Sequence, residues 1–277
     1  MKLKTFIIPA VFILLLITGS FAQAEPIAKD AIRIYSGKNT GINFKSHNGS
    51  ILEIPGTTTK DDVITHFAFT LSYNEEHEQA NWVAYELTEE ETDSKHKRTD
   101  KFIPDTFVKT GTTNDKDYRR SGYDRGHLAP AGDMAWSSTA LRESFCYSNI
   151  SPQVPSFNRG IWKKLEELVR KWTKVEKSVF VVTGPVLEKD LPAIGPNKVS
   201  VPRYFYKVIL DYNEPVIKGI GFIIPNKAST EPLQNYSVTI DRVENLTGID
   251  FFPSLPDDQE EVIESTLNLN IWNFNNN

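Results

Sequence analysis

Cys146 is the one cysteine in the chain, so no intramolecular disulfide can form and the fold must be held by burial and by any metal it binds. Its neighbours Phe145 and Tyr147 mark it as a small buried side chain rather than a reactive thiol. Long apolar runs are as scarce as cysteine. The first, residues 6–17, is shorter than the roughly 20 residues a spanning helix needs, and Pro9 interrupts it. Lys2 and Lys4 precede it and Ala22-Gln23-Ala24 follows, so residues 1–24 read as an export signal cleaved before Glu25. A secreted or periplasmic mature chain is expected. No later segment is long and apolar enough to cross a bilayer, and none is expected to hold the protein at a membrane once the signal is gone. Positive charge is also in deficit: without Lys2 and Lys4 the 31 basic residues fall to 29 against 36 acidic ones, a net −7. That excludes a generic polyanion coat but leaves room for a local basic groove. The stretch from Arg119 to Lys171 is such a concentration, holding Arg125, Arg142, Arg159, Lys163, Lys164 and Arg170.

Nothing rich in Pro, Gly and Ser divides the chain after Ile51, and no repeat of fixed period occurs. Residues 25–50 are polar and Gly/Asn-rich, an extended lead-in to one domain over 51–277. His66 to Tyr73 alternates Phe67, Phe69 and Leu71, and Trp82 to Leu87 continues the same character after a polar turn, which predicts a hairpin. Residues 178–184, 204–210 and 216–225 are β-branched or aromatic and predict three more strands, the last two joined at Asn213-Glu214-Pro215. Ile161, Trp162, Leu165, Leu168, Val169 and Trp172 repeat at helical spacing, with Ser156 or Asn158 as the expected N-cap. Residues 138–144 suit a short helix, while 234–245 fits helix and strand equally. Helices and strands mix without βαβ alternation, so the expected class is α+β on a mostly antiparallel central sheet with flanking helices.

Three ordered strings carry the chemistry: Asp124-Arg125-Gly126-His127, Asn149-Ile150-Ser151-Pro152-Gln153, and Asn158 opening a helix that holds Trp162 and Glu166. Each alone has an ordinary reading, as a structural histidine, a glycosylation triplet and a helix cap. Together, with their gaps, they resemble the DNA/RNA non-specific endonuclease family, the secreted bacterial nucleases and mitochondrial endonuclease G relatives built on a ββα-metal finger. Weaker similarity runs from about Ile51 to Phe252, most of the mature chain.

The resemblance implies hydrolysis of DNA and RNA phosphodiesters with one Mg2+, Mn2+ or Ca2+ being alternatives, leaving 5′-phosphate ends. Histidine can accept a proton near neutral pH, so His127 is the expected general base. By resemblance a carbonyl of Asn149 fixes its tautomer, Asn158 ligates the metal, and Glu166 holds the metal's waters. Magnesium retains several waters and needs few protein ligands, which fits the lack of a dense Asp/Glu/His cluster here. Arg125, two residues before His127 on an extended strand, shares its face and can grip a phosphate oxygen. Arg98 resembles a second family arginine, and Asp124 suits an orienting bond within the finger. A homodimer is one assembly the family allows. The alternative is a non-catalytic secreted nucleic-acid-binding protein on the same scaffold, and a phosphodiesterase for small or damaged nucleic acids is a third reading.

Overall fold

The computed structural model describes residues 52–56 and 62–275; the expected export signal and lead-in lie outside them. In chain order the elements are β1 (Asp62–Thr65), β2 (Thr70–Asn74), β3 (Gln79–Thr88), α1 (Asp115–Tyr118), β4 (Asp124–His127), α2 (Ser138–Ser144), β5 (Ile150–Gln153), α3 (Lys163–Glu176), β6 (Ser178–Pro185), β7 (Ala193–Ile194), β8 (Val199–Ser200), β9 (Tyr204–Asp211), β10 (Lys218–Pro225), β11 (Ser237–Val238), α4 (Ile240–Thr247) and α5 (Asp257–Ser265). Seven strands form one antiparallel sheet in the order β1-β2-β3-β6-β9-β10-β11. The α+β architecture with flanking helices is as the composition predicts.

The central strands bury both faces. Val83, Tyr85 and Leu87 of β3, Val179 and Val181 of β6, and Phe205 and Ile209 of β9 pack under Leu165, Leu168, Val169 and Trp172 of α3. The alternate residues Trp82, Ala84, Phe180, Val182, Tyr206 and Val208 pack on the other side against Ile240 and Val243 of α4, Ile263 of α5, and Phe251 and Phe252. Two covered faces make the strands read as unbroken apolar runs. Each large side chain so buried contributes about 1.5–3 kcal/mol, so the α3 stripe of four anchors that helix firmly.

Everything between β3 and its sheet neighbour β6 is one long excursion, residues 89–177, and it carries the sequence motifs. Within it β4 and β5 pair antiparallel, Arg125 opposite Pro152 and His127 opposite Ile150, and α3 follows. This is the ββα finger. Gly126 is required there: a Cβ would stand 2.1 Å from Gln153 Oε1.

Several boundaries differ from the sequence reading. His66 to Phe69 is a turn, closed by His66 N–H to the Phe69 carbonyl (2.8 Å), so the first hairpin is β1–β2 and Phe67 is exposed. The hairpin of β2 with β3 is present as expected. Residues 157–162 form a π-helical turn broken at Gly160 (φ −106°, ψ −110°), and the regular helix begins only at Lys163. Neither Ser156 nor Asn158 caps it; the Asn158 amide is held elsewhere. Residues 234–245 contain both short β11 and the start of α4, so neither single reading holds. The α2 bounds agree with expectation. Among the described residues no helix is long and apolar enough to cross a membrane.

Candidate active site

A cleft of about 280 Å3 lies at the finger, lined by Arg98, Asp100, Phe102, Asp124, Arg125, Asn158 and Arg159. Three of the sequence-predicted residues, Arg98, Arg125 and Asn158, therefore meet in one place. Arg98 comes from the loop after β3, Arg125 from β4, and Asn158 from the turn before α3.

His127 ends β4 directly behind this cleft and is 7% exposed. Its ring packs on Phe102 (5.5 Å between centroids) and edge-on to Phe145 (4.7 Å). The Arg125 guanidinium sits 4.4 Å over the same Phe102 ring, so Arg125 and His127 do share a face. Arg98 lies 5.3 Å over the Phe145 ring. Burial, reinforced by the Arg98 charge and opposed by Asp100, pushes His127 down to about 3. The imidazole is consequently neutral across the physiological range. Its Nε2 is buried and makes no hydrogen bond.

Asn149 does not bond to that imidazole. Its amide group accepts from Ala129 N (2.8 Å) and donates to the carbonyls of Ala129 (3.0 Å) and Ser144 (2.8 Å), while its own carbonyl accepts from Leu128 N (3.0 Å). The expected direct tautomer-fixing contact is replaced by a clamp on the backbone that leaves His127. Fully buried, Asn149 ties down the two residues that follow His127. The physical reason is that the two residues after His127 turn back towards α2 and present polar groups that must be satisfied.

Asp124 has the orienting use expected of it. Its Oδ2 accepts from Asn158 Nδ2 (2.9 Å), and both its oxygens accept from the Arg159 guanidinium (2.8 and 2.7 Å). With Nδ2 committed, the Asn158 Oδ1 is left as a hard oxygen donor on the cleft wall. A neutral amide oxygen beside a carboxylate suits a hard divalent cation that keeps most of its waters, so the residues fit the implied metal.

Glu166 stands half-buried on α3, next to charges the sequence did not reveal. Burial raises its carboxyl above the usual range, opposed by Lys207; burial in turn lowers Lys207. Lys207 interrupts the apolar face of β9 between Phe205 and Ile209, with its Nζ 5.0 Å over Trp162 and no hydrogen bond. Asp133, almost fully buried, accepts from Tyr85 Oη (2.8 Å) and Arg170 Nη1 (2.5 Å), tying sheet, finger loop and α3 together. The Arg98 charge acts on both His127 and Glu166. Phe102 and Lys207 carried no sequence signal, being an isolated aromatic and a strand lysine.

The sequence pattern of the DNA/RNA non-specific endonucleases matches residues 48–258. The chain is 35% identical to mitochondrial nuclease EXOG of Danio rerio over 206 residues, which span 68% of this chain and 60% of that protein. It is 35% identical to nuclease C1 of Cunninghamella echinulata var. echinulata over 230 residues, 74% of this chain and 88% of the other. A chain in the crystal structure of the EndoG/EndoGI complex superposes with a TM-score of 0.68 at 34% identity, covering 74% of this chain and 91% of that one. With the finger, the basic cleft and the buried neutral histidine in place, these likenesses settle the kinship: the chain belongs to the DNA/RNA non-specific endonuclease family.

Proposed function

We propose that the protein is a secreted endonuclease that hydrolyses phosphodiester bonds of DNA and RNA without regard to the sugar, with Mg2+ as its working ion. One observation carries the reading: Arg98, Arg125 and Asn158 line a single cleft backed by an imidazole that burial keeps unprotonated. A binding protein has no need of a base held neutral at that position, which disfavours the non-catalytic alternative.

Asn158 Oδ1 would hold the ion, and Glu166 on α3 would hold its waters. When bound, the ion stabilises negative charge on the phosphoryl and leaving oxygens. His127 takes the proton of the attacking water. Because Nε2 is sealed inside, Nδ1 is the nitrogen that meets the water. Burial and Arg98 both disfavour the imidazolium, so the proton does not stay on His127. Arg125, over the Phe102 ring and paired with Asp115, and Arg98, over the Phe145 ring and paired with Asp100, would exchange those carboxylates for the non-bridging oxygens. Cleavage leaves a 5′-phosphate and a 3′-hydroxyl.

Lys2, Lys4 and Ala22-Gln23-Ala24 support export of the chain with loss of residues 1–24, leaving 25–50 as a lead-in to the nuclease domain over 51–277. The test of the activity is direct. Purified mature protein degrades plasmid and RNA alike with Mg2+ and neither with EDTA, and His127→Ala lowers kcat/KM by about 10²–10⁴ while the native fold is retained by circular dichroism. Retention of substrates intact, but bound, with every divalent ion would establish the binding-protein alternative.

A further inference from the structure

A second cluster of ligand-type side chains lies outside the residues that line the catalytic cleft. His66 in the β1–β2 turn, Asp105 in the loop before α1 and Cys146 after α2 offer one ligand atom each, and these atoms all lie within 4.8 Å of one another. All three are buried, at 7%, 3% and 5% exposure. We propose that this is a second, structural metal site for a borderline-soft divalent ion of the zinc class, separate from the hard-ion site at Asn158.

The donor set decides the ion. Sulfur and imidazole nitrogen with one carboxylate suit zinc, and magnesium disfavours both of the first two. His66 Nε2 and Asp105 Oδ2 share a hydrogen bond of 2.9 Å, and an ion taking that proton's place would set the two atoms about 3.3 Å apart. With Nε2 as ligand, the other ring nitrogen faces Glu143: Nδ1 is buried, lacks a hydrogen bond, and is 3.6 Å from Glu143 Oε2. A closer approach of Glu143, which already accepts from Phe67 N at 2.8 Å, would complete a carboxylate–histidine–metal relay, in which an outer carboxylate orients the ligand imidazole. Ser148 Oγ, 2.5 Å from Asp105 Oδ2, and Phe107 N, 2.9 Å from Oδ1, orient the carboxylate in the same way.

Without an ion, Cys146 is a buried free thiol. On binding, the sulfur–hydrogen bond breaks, its electron pair forms the metal–sulfur bond, and the proton leaves to solvent. The ion's two charges then offset the Asp105 carboxylate and the new thiolate. The site would pin three segments that are remote in sequence, including the one that runs from α2 into β5, and so act as the staple this disulfide-free chain otherwise lacks.

Cobalt(II) reads the site directly. Cys146 is the only cysteine in the chain, so a thiolate-to-cobalt charge-transfer band can come from no other residue. Metal-stripped full mature protein, titrated with Co2+ both in the native state and during refolding, is expected to develop that band together with tetrahedral visible bands at one equivalent. Zn2+ should bleach them and raise Tm. Asn158→Ala keeps the band, Glu143→Gln keeps it while weakening Co2+ about 10–100-fold, and Cys146→Ser loses it. Co2+ uptake by the folded wild-type protein with no charge-transfer band, or a band that Asn158→Ala removes, overturns the proposal. Because the decisive measurement is made on the unmutated chain, failure of a variant to fold leaves the result intact.

Discussion

At the scale of single residues, His127 stands out because burial keeps its imidazole in the basic form. A solvent-exposed histidine would lose about tenfold in its basic form between pH 7.5 and pH 5.5. His127, held down to about 3, keeps its basic form over that range. The acid limb of kcat/KM is therefore expected well below pH 6.5, with less than about a twofold loss at pH 5.5 in a plasmid-cleavage assay; a tenfold loss would show an ordinary histidine. The same shift has a cost to stability. The unfolded chain binds this proton near pH 6.5 and the folded one only near 3, so between those values each fall of one pH unit removes up to about 1.4 kcal/mol. His127→Asn should flatten this part of the stability profile in urea titrations at pH 4 to 7. Asp124 acts through its neighbours: Asp124→Ala releases both Asn158 and Arg159, and is expected to raise the Mg2+ concentration for half-maximal activity more than it lowers kcat at saturating Mg2+.

At the scale of elements, the finger is fixed to the sheet by two devices that can be broken separately. Asp133 joins Tyr85 of β3 to Arg170 of α3 from a buried position, and Asp133→Ala strands the guanidinium and the hydroxyl. A loss of about 3–5 kcal/mol is expected by chemical denaturation, and a loss under about 1 kcal/mol would show the bracket to be incidental. Gly126→Ala forces a methyl into Gln153 across the β4–β5 pair and should cost about 1–3 kcal/mol along with activity. Much of this was legible from sequence because the residues concerned sit in short, ordered motifs: the β4 strand and α3 lie where the pattern put them, while Asn158 sits in the π-helical turn ahead of α3 instead of capping it. Periodicity likewise revealed α3 and the long strands, whose two-sided burial leaves an apolar signature. What sequence could not reveal depended on distance in space. Phe102 and Lys207 acquire meaning only when loop and strand meet the finger, and the Asn149 clamp depends on how the backbone turns after His127. The β1–β2 turn was missed because Phe67 and Phe69 imitate strand alternation, although one is exposed and the other buried.

At the scale of the whole molecule, an acidic chain that cuts a polyanion must attract it locally. The net charge is −5 over the full sequence, yet the cleft wall carries Arg98, Arg125 and Arg159. Neutralising about three phosphates predicts a slope of about −2.7 in log(1/KM) against log salt on duplex DNA, and Arg159→Ala should reduce it by about 0.9. A slope near −8 would mean a broad basic surface instead. The most direct test of the central claim is a crystal structure with Mg2+ and a 5′-phosphorylated dinucleotide. The account predicts the ion about 2.1 Å from Asn158 Oδ1, one phosphate shared between that ion and the Arg125 and Arg98 guanidinium groups, and His127 Nδ1 facing the same phosphorus through one water. An ion bound away from Asn158, or a phosphate that His127 cannot reach through a single water, would contradict it.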